Sequence, residues 1–253
     1  MAWAGRGEAV TEAEFDPGAV RALAFDVFGT TVDWRTGVAE QVTLLARRRG
    51  AELDGAAFAD EWRERYLPSM NRVNSGERPW AYLDVLHRES LDELLERHGV
   101  AAAFDDAARG ELVRAWHRLP AWEDAAEGLA RLRGRYVVAA LSNGGFALLT
   151  HLAKAAGLRF DCILSAELAQ LYKPDPAPYL TAARLLDVAP GELLMVACHG
   201  WDLTGARGAG LRTAFVERPL EKGPAGTADR AADVPGDVAA ADFRDLADRL
   251  GCP

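Results

Sequence analysis

The feature that most constrains the fold is a change of period along the chain. Between residues 119 and 216, short apolar runs alternate with stretches whose apolar residues recur at helical spacing. The pattern predicts helices over 125–133, 147–156, 177–186 and 203–209, and strands over 136–141, 160–165, 193–198 and 213–216. Strands separated by helices run parallel and are covered on both faces. One earlier apolar run, residues 20–26, ends in Asp26 at a Phe28-Gly29-Thr30-Thr31 turn and predicts another buried strand. From Gly37 to His117 there is no strand pattern, only helical spacing over 38–48, 57–70, 80–98 and 105–118. The expected fold is a doubly wound, Rossmann-like α/β core formed by residues 17–35 and 119–253. A helical cap, residues 36–118, is inserted after the first strand. The Gly- and Pro-rich segment 221–236 reads as a surface loop before a last strand and helix.

In such sheets ligands sit beyond the carboxyl ends of the strands. Asp26, Ser142-Asn143 and Cys198-His199 all fall at predicted strand ends, so three distant segments converge on one crevice.

Composition narrows the function classes. Lys+Arg of 29 against Asp+Glu of 38 gives a formal charge of −9, which disfavours nucleic acid and anionic membrane surfaces as partners. No apolar run approaches the roughly 20 residues of a membrane span, and the opening MAWAGRGEAVTEAEFD is too acidic and broken for a signal peptide, so a cytoplasmic protein is expected. Cys162, Cys198 and Cys252 are odd in number and lack CxxC spacing, which suits a reduced compartment and implies neither zinc nor disulfides. Lysines are only Lys154, Lys173 and Lys222, so a lysine inside a motif stands out.

Four segments carry a resemblance. Phe25-Asp26-Val27-Phe28-Gly29-Thr30, Leu141-Ser142-Asn143-Gly144, Tyr172-Lys173-Pro174-Asp175, and Trp201-Asp202 before Gly205-Ala206-Arg207-Gly208-Ala209-Gly210 resemble the four ordered motifs of the haloacid dehalogenase superfamily. Phosphatases of that superfamily carry a second aspartate two residues after the nucleophile, as general acid and magnesium holder. Here that position is Phe28, and Cys198-His199 stand where a magnesium-binding acid is expected. The L-2-haloacid dehalogenases are the branch resembled further: Arg63 sits at their lid arginine, Tyr179 at a tyrosine after Lys-Pro-Asp, and Trp201 beside Asp202.

The resemblance implies hydrolytic dehalogenation of short (S)-2-haloalkanoic acids, without metal or other cofactor. Asp26 displaces halide from the back side, forming an ester that water hydrolyses. An aspartate side chain, which ordinarily titrates near pH ~3.9, is ionised at neutral pH. Lys173 at about 4 Å would favour that charge by roughly 4 kcal/mol at an effective dielectric of about 20. Arg63 and Asn143 are donors for the departing halide. Ser142, Thr30 and nearby amides hold the substrate carboxylate or the nucleophile, and Tyr179 joins the network. Val27, Phe28, Leu67, Trp80 and Trp201 wall the substrate. His199 stands where the resembled enzymes usually carry asparagine, so either Asp202 or His199 activates the water. The partners implied are a 2-halocarboxylate and water, and a homodimer stays open. A phosphoester hydrolase and an idle binding relative are the competing readings.

Overall fold

The computed structural model describes residues 15–253, so nearly all of the opening segment read against a signal peptide lies outside the described residues. Six parallel strands form one sheet: β1 (Ala22–Phe25), β2 (Val137–Ser142), β3 (Cys162–Ser165), β4 (Leu193–Ala197), β5 (Arg212–Val216) and β6 (Val238–Ala240), in the order β3-β2-β1-β4-β5-β6. Residues along these strands alternate between two faces. Leu23, Phe25, Val138, Leu194 and Val196 enter one apolar cluster, and Ala22, Ala24, Leu141, Met195 and Ala197 enter the other. Helices α6 (Ala125–Leu132), α7 (Phe146–Ala155) and α10 (Phe243–Arg249) contribute Leu129, Leu152 and Phe243 to the first. Helices α8 (Pro176–Leu185) and α9 (Gly200–Gly208) contribute Tyr179, Ala182 and Leu203 to the second. The order reverses between β1 and β4, and that switch point opens the crevice at the strands' carboxyl ends.

Between β1 and β2 the chain first makes α1 (Trp34–Arg49), α2 (Gly55–Glu64), α3 (Tyr66–Asn74), α4 (Leu83–Arg97) and α5 (Asp106–Val113). Asp33, Asp54 and Asp105 cap α1, α2 and α5 by accepting main-chain N–H bonds. Phe58, Trp62, Leu91 and Trp116 join the same apolar cluster as the first face of the sheet, so the insert is packed continuously onto the core.

Four expectations need correction. The single helix expected over 57–70 breaks at Arg65, because Pro68 in the first turn of α3 has no N–H to give Glu64 and its ring crowds that carbonyl. Helix α4 begins at Leu83 rather than near Trp80, and α5 ends at Val113 and tightens into a 3-10 turn over Arg114–His117. The segment 221–236 is a loop, but its first residue, Glu221, is buried. Among the described residues no helix is long and apolar enough to cross a membrane, and the three cysteines are free.

Candidate active site

Asp26 leaves the end of β1 with its main chain pinned: its N–H donates to Val196 O (2.9 Å) and its carbonyl accepts from Thr31 Oγ1 (2.7 Å). Its carboxylate meets three donors. Lys173 Nζ donates to Oδ1 at 3.0 Å, Thr30 Oγ1 donates to Oδ2 at 2.8 Å, and His199 Nδ1 lies 3.2 Å from Oδ2. Burial alone would raise the pKa of Asp26. The Lys173 charge, followed by His199 and Thr30, overrides it and holds the carboxyl well below the usual range. The turn that follows depends on Gly29, whose φ is +89° and where a Cβ would stand 2.8 Å from Glu221 Oε1 and 3.1 Å from His199 Cε1.

Lys173 is 1% exposed and its ammonium is fully used. Besides Asp26 it donates to Leu141 O at 2.9 Å and to Asp202 Oδ2 at 2.5 Å. Asn143 brackets its main chain, Oδ1 accepting from Lys173 N (2.7 Å) and Nδ2 donating to Lys173 O (3.1 Å). Asn143 thus orients the main chain of the lysine. Ser142 is buried beside it, its hydroxyl accepting from Gly144 N at 3.3 Å.

Asp202 is wholly buried and lies on the far side of Lys173 from Asp26. Its Oδ1 accepts from Tyr179 Oη at 2.6 Å and its Oδ2 from Lys173. Burial, with the nearby Asp26 charge, raises its pKa. Tyr179 thus serves Asp202, and Asp202 orients Lys173. Both of its oxygens are engaged by protein donors and the side chain has no exposure.

His199, by contrast, joins both machineries. Its Nδ1 faces Asp26 and its Nε2 lies 3.3 Å from Glu221 Oε1 and 3.6 Å from Cys198 Sγ. Burial would lower the histidine pKa, but Cys198, Asp26 and Glu221 together raise it well above its ordinary value, which favours the charged imidazole. Glu221 also accepts from Trp34 Nε1 at 2.6 Å, and His199 outweighs burial to pull its pKa down to about 2. Sequence reasoning missed Glu221 and Trp34. The only signal available was a motif histidine in need of a carboxylate.

A cavity of about 490 Å³ borders this cluster, lined by Arg63, Tyr66 and Leu67 from the insert, by Trp34 at the start of α1, and by His199, Trp201 and Glu221 from the core. Arg63 lies over Tyr66 (4.0 Å) and Trp34 (5.3 Å), and its buried Nη1 has no hydrogen-bond partner, which leaves a cationic donor free for an anion. Trp201 stacks on His199 at 5.6 Å. Val27 and Phe28 are buried, Phe28 edge-on to Trp116 and Tyr66. Trp80 packs instead on Tyr172, the residue before Lys173.

Magnesium does not fit these residues. Asp26 already receives an ammonium, a hydroxyl and a charged imidazole, and Phe28 and His199 occupy the positions where metal-holding acids would stand. A dication there would face two resident cations.

Comparisons with known proteins agree with the fold. A family model for haloacid dehalogenase-like hydrolases matches residues 20–210. The chain is 32% identical over 205 residues to (S)-2-haloacid dehalogenase 1 of Pseudomonas sp. (strain CBS-3), covering 79% of this chain and 85% of that one. The crystal structure of a defluorinating L-2-haloacid dehalogenase superposes with a TM-score of 0.89 at 45% identity, covering 92% of this chain and 96% of that one. The L-2-haloacid dehalogenase of Xanthobacter autotrophicus, solved with chloropropionic acid covalently bound, superposes with a TM-score of 0.77 at 26% identity, covering 92% and 98%.

Proposed function

The chain belongs to the haloacid dehalogenase-like hydrolases, and from that premise we propose that it hydrolyses short (S)-2-haloalkanoic acids to 2-hydroxy acids through an ester on Asp26. The observation that carries this reading is the Asp26 carboxylate itself. It is buried and favoured in its charged form by Lys173 at 3.0 Å, and Phe28 stands where an acid would be needed to protonate an alkoxide leaving group.

One oxygen of Asp26 attacks C2 as the carbon–halogen bond breaks, so the carbon inverts and halide leaves with the electron pair. Arg63, free of a partner on Nη1, takes the substrate's negative charge or the departing halide. Residues 36–118 act as the cap that excludes water during this step. Alkylation then changes the site's charge. Asp26 becomes a neutral ester, His199 loses one of the carboxylates that held its proton, and its pKa falls. Nδ1 releases that proton to the cavity that His199 lines and becomes the base for a water attacking the Asp26 carbonyl carbon, while Nε2–H stays on Glu221. Cleavage of the acyl–oxygen bond releases the 2-hydroxy acid and restores the Asp26 carboxylate.

Halide release from (S)- and (R)-2-chloropropionate without added metal tests this, beside Asp26→Asn and a magnesium-supplemented phosphatase assay. Release from the (S) form alone, lost in the variant, is expected. Metal-dependent phosphate release without halide would overturn it.

A further inference from the structure

The loop that follows β5 carries Glu221 to His199, and one buried side chain of that loop also reaches the nucleophile turn. Arg218, 6% exposed, donates from Nε to Thr30 O at 2.8 Å. Its other two nitrogens form a fork on Asp124, Nη1 to Oδ1 and Nη2 to Oδ2, each at 2.9 Å. Asp124 is 4% exposed and accepts as well from Phe243 N at 2.8 Å, so the fork is anchored to α6 and α10. The guanidinium lies over Phe243 (4.8 Å) and Trp122 (5.6 Å), and Trp122 Nε1 donates to Gly29 O at 2.8 Å. The Arg218 carbonyl accepts from Glu221 N at 2.9 Å, closing the turn that aims the Glu221 carboxylate at His199.

We infer that Arg218, clamped by Asp124, is a positioning residue that joins the nucleophile turn to the Glu221 turn and so sets the rate of ester hydrolysis. It touches neither substrate nor reacting atoms. A guanidinium fork fixes direction as well as distance, and two elements tied through one planar group keep their spacing. The two half-reactions depend on it unequally. Asp26 has independent anchors in Val196 O, Thr31 Oγ1 and Lys173 Nζ. Glu221 sits in a long loop, and Arg218 ties the start of that loop to the core. Loss of the clamp therefore leaves alkylation largely intact and slows the attack of water. This rests on the dehalogenase reading above.

The test is rapid-quench intact-protein mass spectrometry with (S)-2-chloropropionate on the wild type, Arg218→Lys and the double variant Arg218→Met/Asp124→Leu. The double variant removes both buried charges together, which favours retention of the fold. In both variants kcat is expected to fall about tenfold or more with KM falling in step, so that kcat/KM changes less than about twofold, while an adduct on Asp26 builds up. Wild-type-like turnover in the double variant, or a lower kcat without adduct, would overturn the clamp. A wild type that forms no adduct and releases no halide would instead overturn the dehalogenase reading.

Discussion

Glu221 Oε1 lies 3.3 Å from His199 Nε2, so the histidine whose other nitrogen faces Asp26 is backed by a buried carboxylate. Glu221→Gln keeps the shape and removes the charge that steers the tautomer. Its kcat is expected to fall about 10- to 100-fold with KM falling in step, kcat/KM being held, and the Asp26 ester accumulating under turnover. Rapid quench and peptide mapping read this. An unchanged steady-state ester level would remove Glu221 from the hydrolytic step.

Lys173→Met strips the shared cation from two buried carboxylates, Asp26 and Asp202. Breaking a buried pair on one side typically costs about 3–5 kcal/mol, so urea unfolding should show a loss of that order. Halide release should vanish, because the carboxyl of Asp26 then rises toward its protonated form. Full activity in a stable variant would refute this role.

The pH profiles of kcat and kcat/KM should separate. Asp26 is held below the usual carboxylate range, so kcat/KM should show no acid limb in mildly acidic solution. Ester hydrolysis needs neutral His199, so kcat should rise with pH through the lowered pKa that His199 has in the ester form. In Glu221→Gln, with the second carboxylate also neutral, that limb should move to lower pH. Coincident limbs in kcat and kcat/KM would contradict the assignment.

His87 predicts a stability effect. Both of its ring nitrogens lack partners, it stacks on Trp116 at 4.4 Å, and burial, helped by Arg63, lowers its pKa to about 3. The unfolded chain takes up a proton below about pH 6.5 while the folded chain does not until about 3, so this group removes stability as pH falls between those values, by up to about 1.4 kcal/mol per pH unit. His87→Leu should lose less stability than the wild type between about pH 7 and about pH 5 in urea titrations. Equal losses would assign the acid sensitivity to other groups.

The strand-helix alternation and the positions of Asp26, Lys173 and His199 were legible because each depends on local pattern or motif order. Strand order was not, since nothing local says that β4 rather than β3 lies beside β1. Asn143 and Asp202 were found as site residues, but their partners were not. Asn143 brackets the main chain of a lysine 30 positions away and Asp202 accepts from Tyr179, pairings that no local pattern announces. Glu221 and Arg218 lie in or beside a Gly- and Pro-rich stretch, where composition signals exposure, and only the tertiary contacts with His199, Trp34 and Asp124 bury them.

The ester on Asp26 is put to the test by a single turnover with enzyme in excess over (S)-2-chloropropionate in heavy-oxygen water. Label is expected in the Asp26 carboxylate and none in the lactate formed, because water attacks the carboxyl carbon and the product keeps an Asp26 oxygen. Label in the lactate with Asp26 unlabelled would contradict it, since water would then have displaced the halide itself.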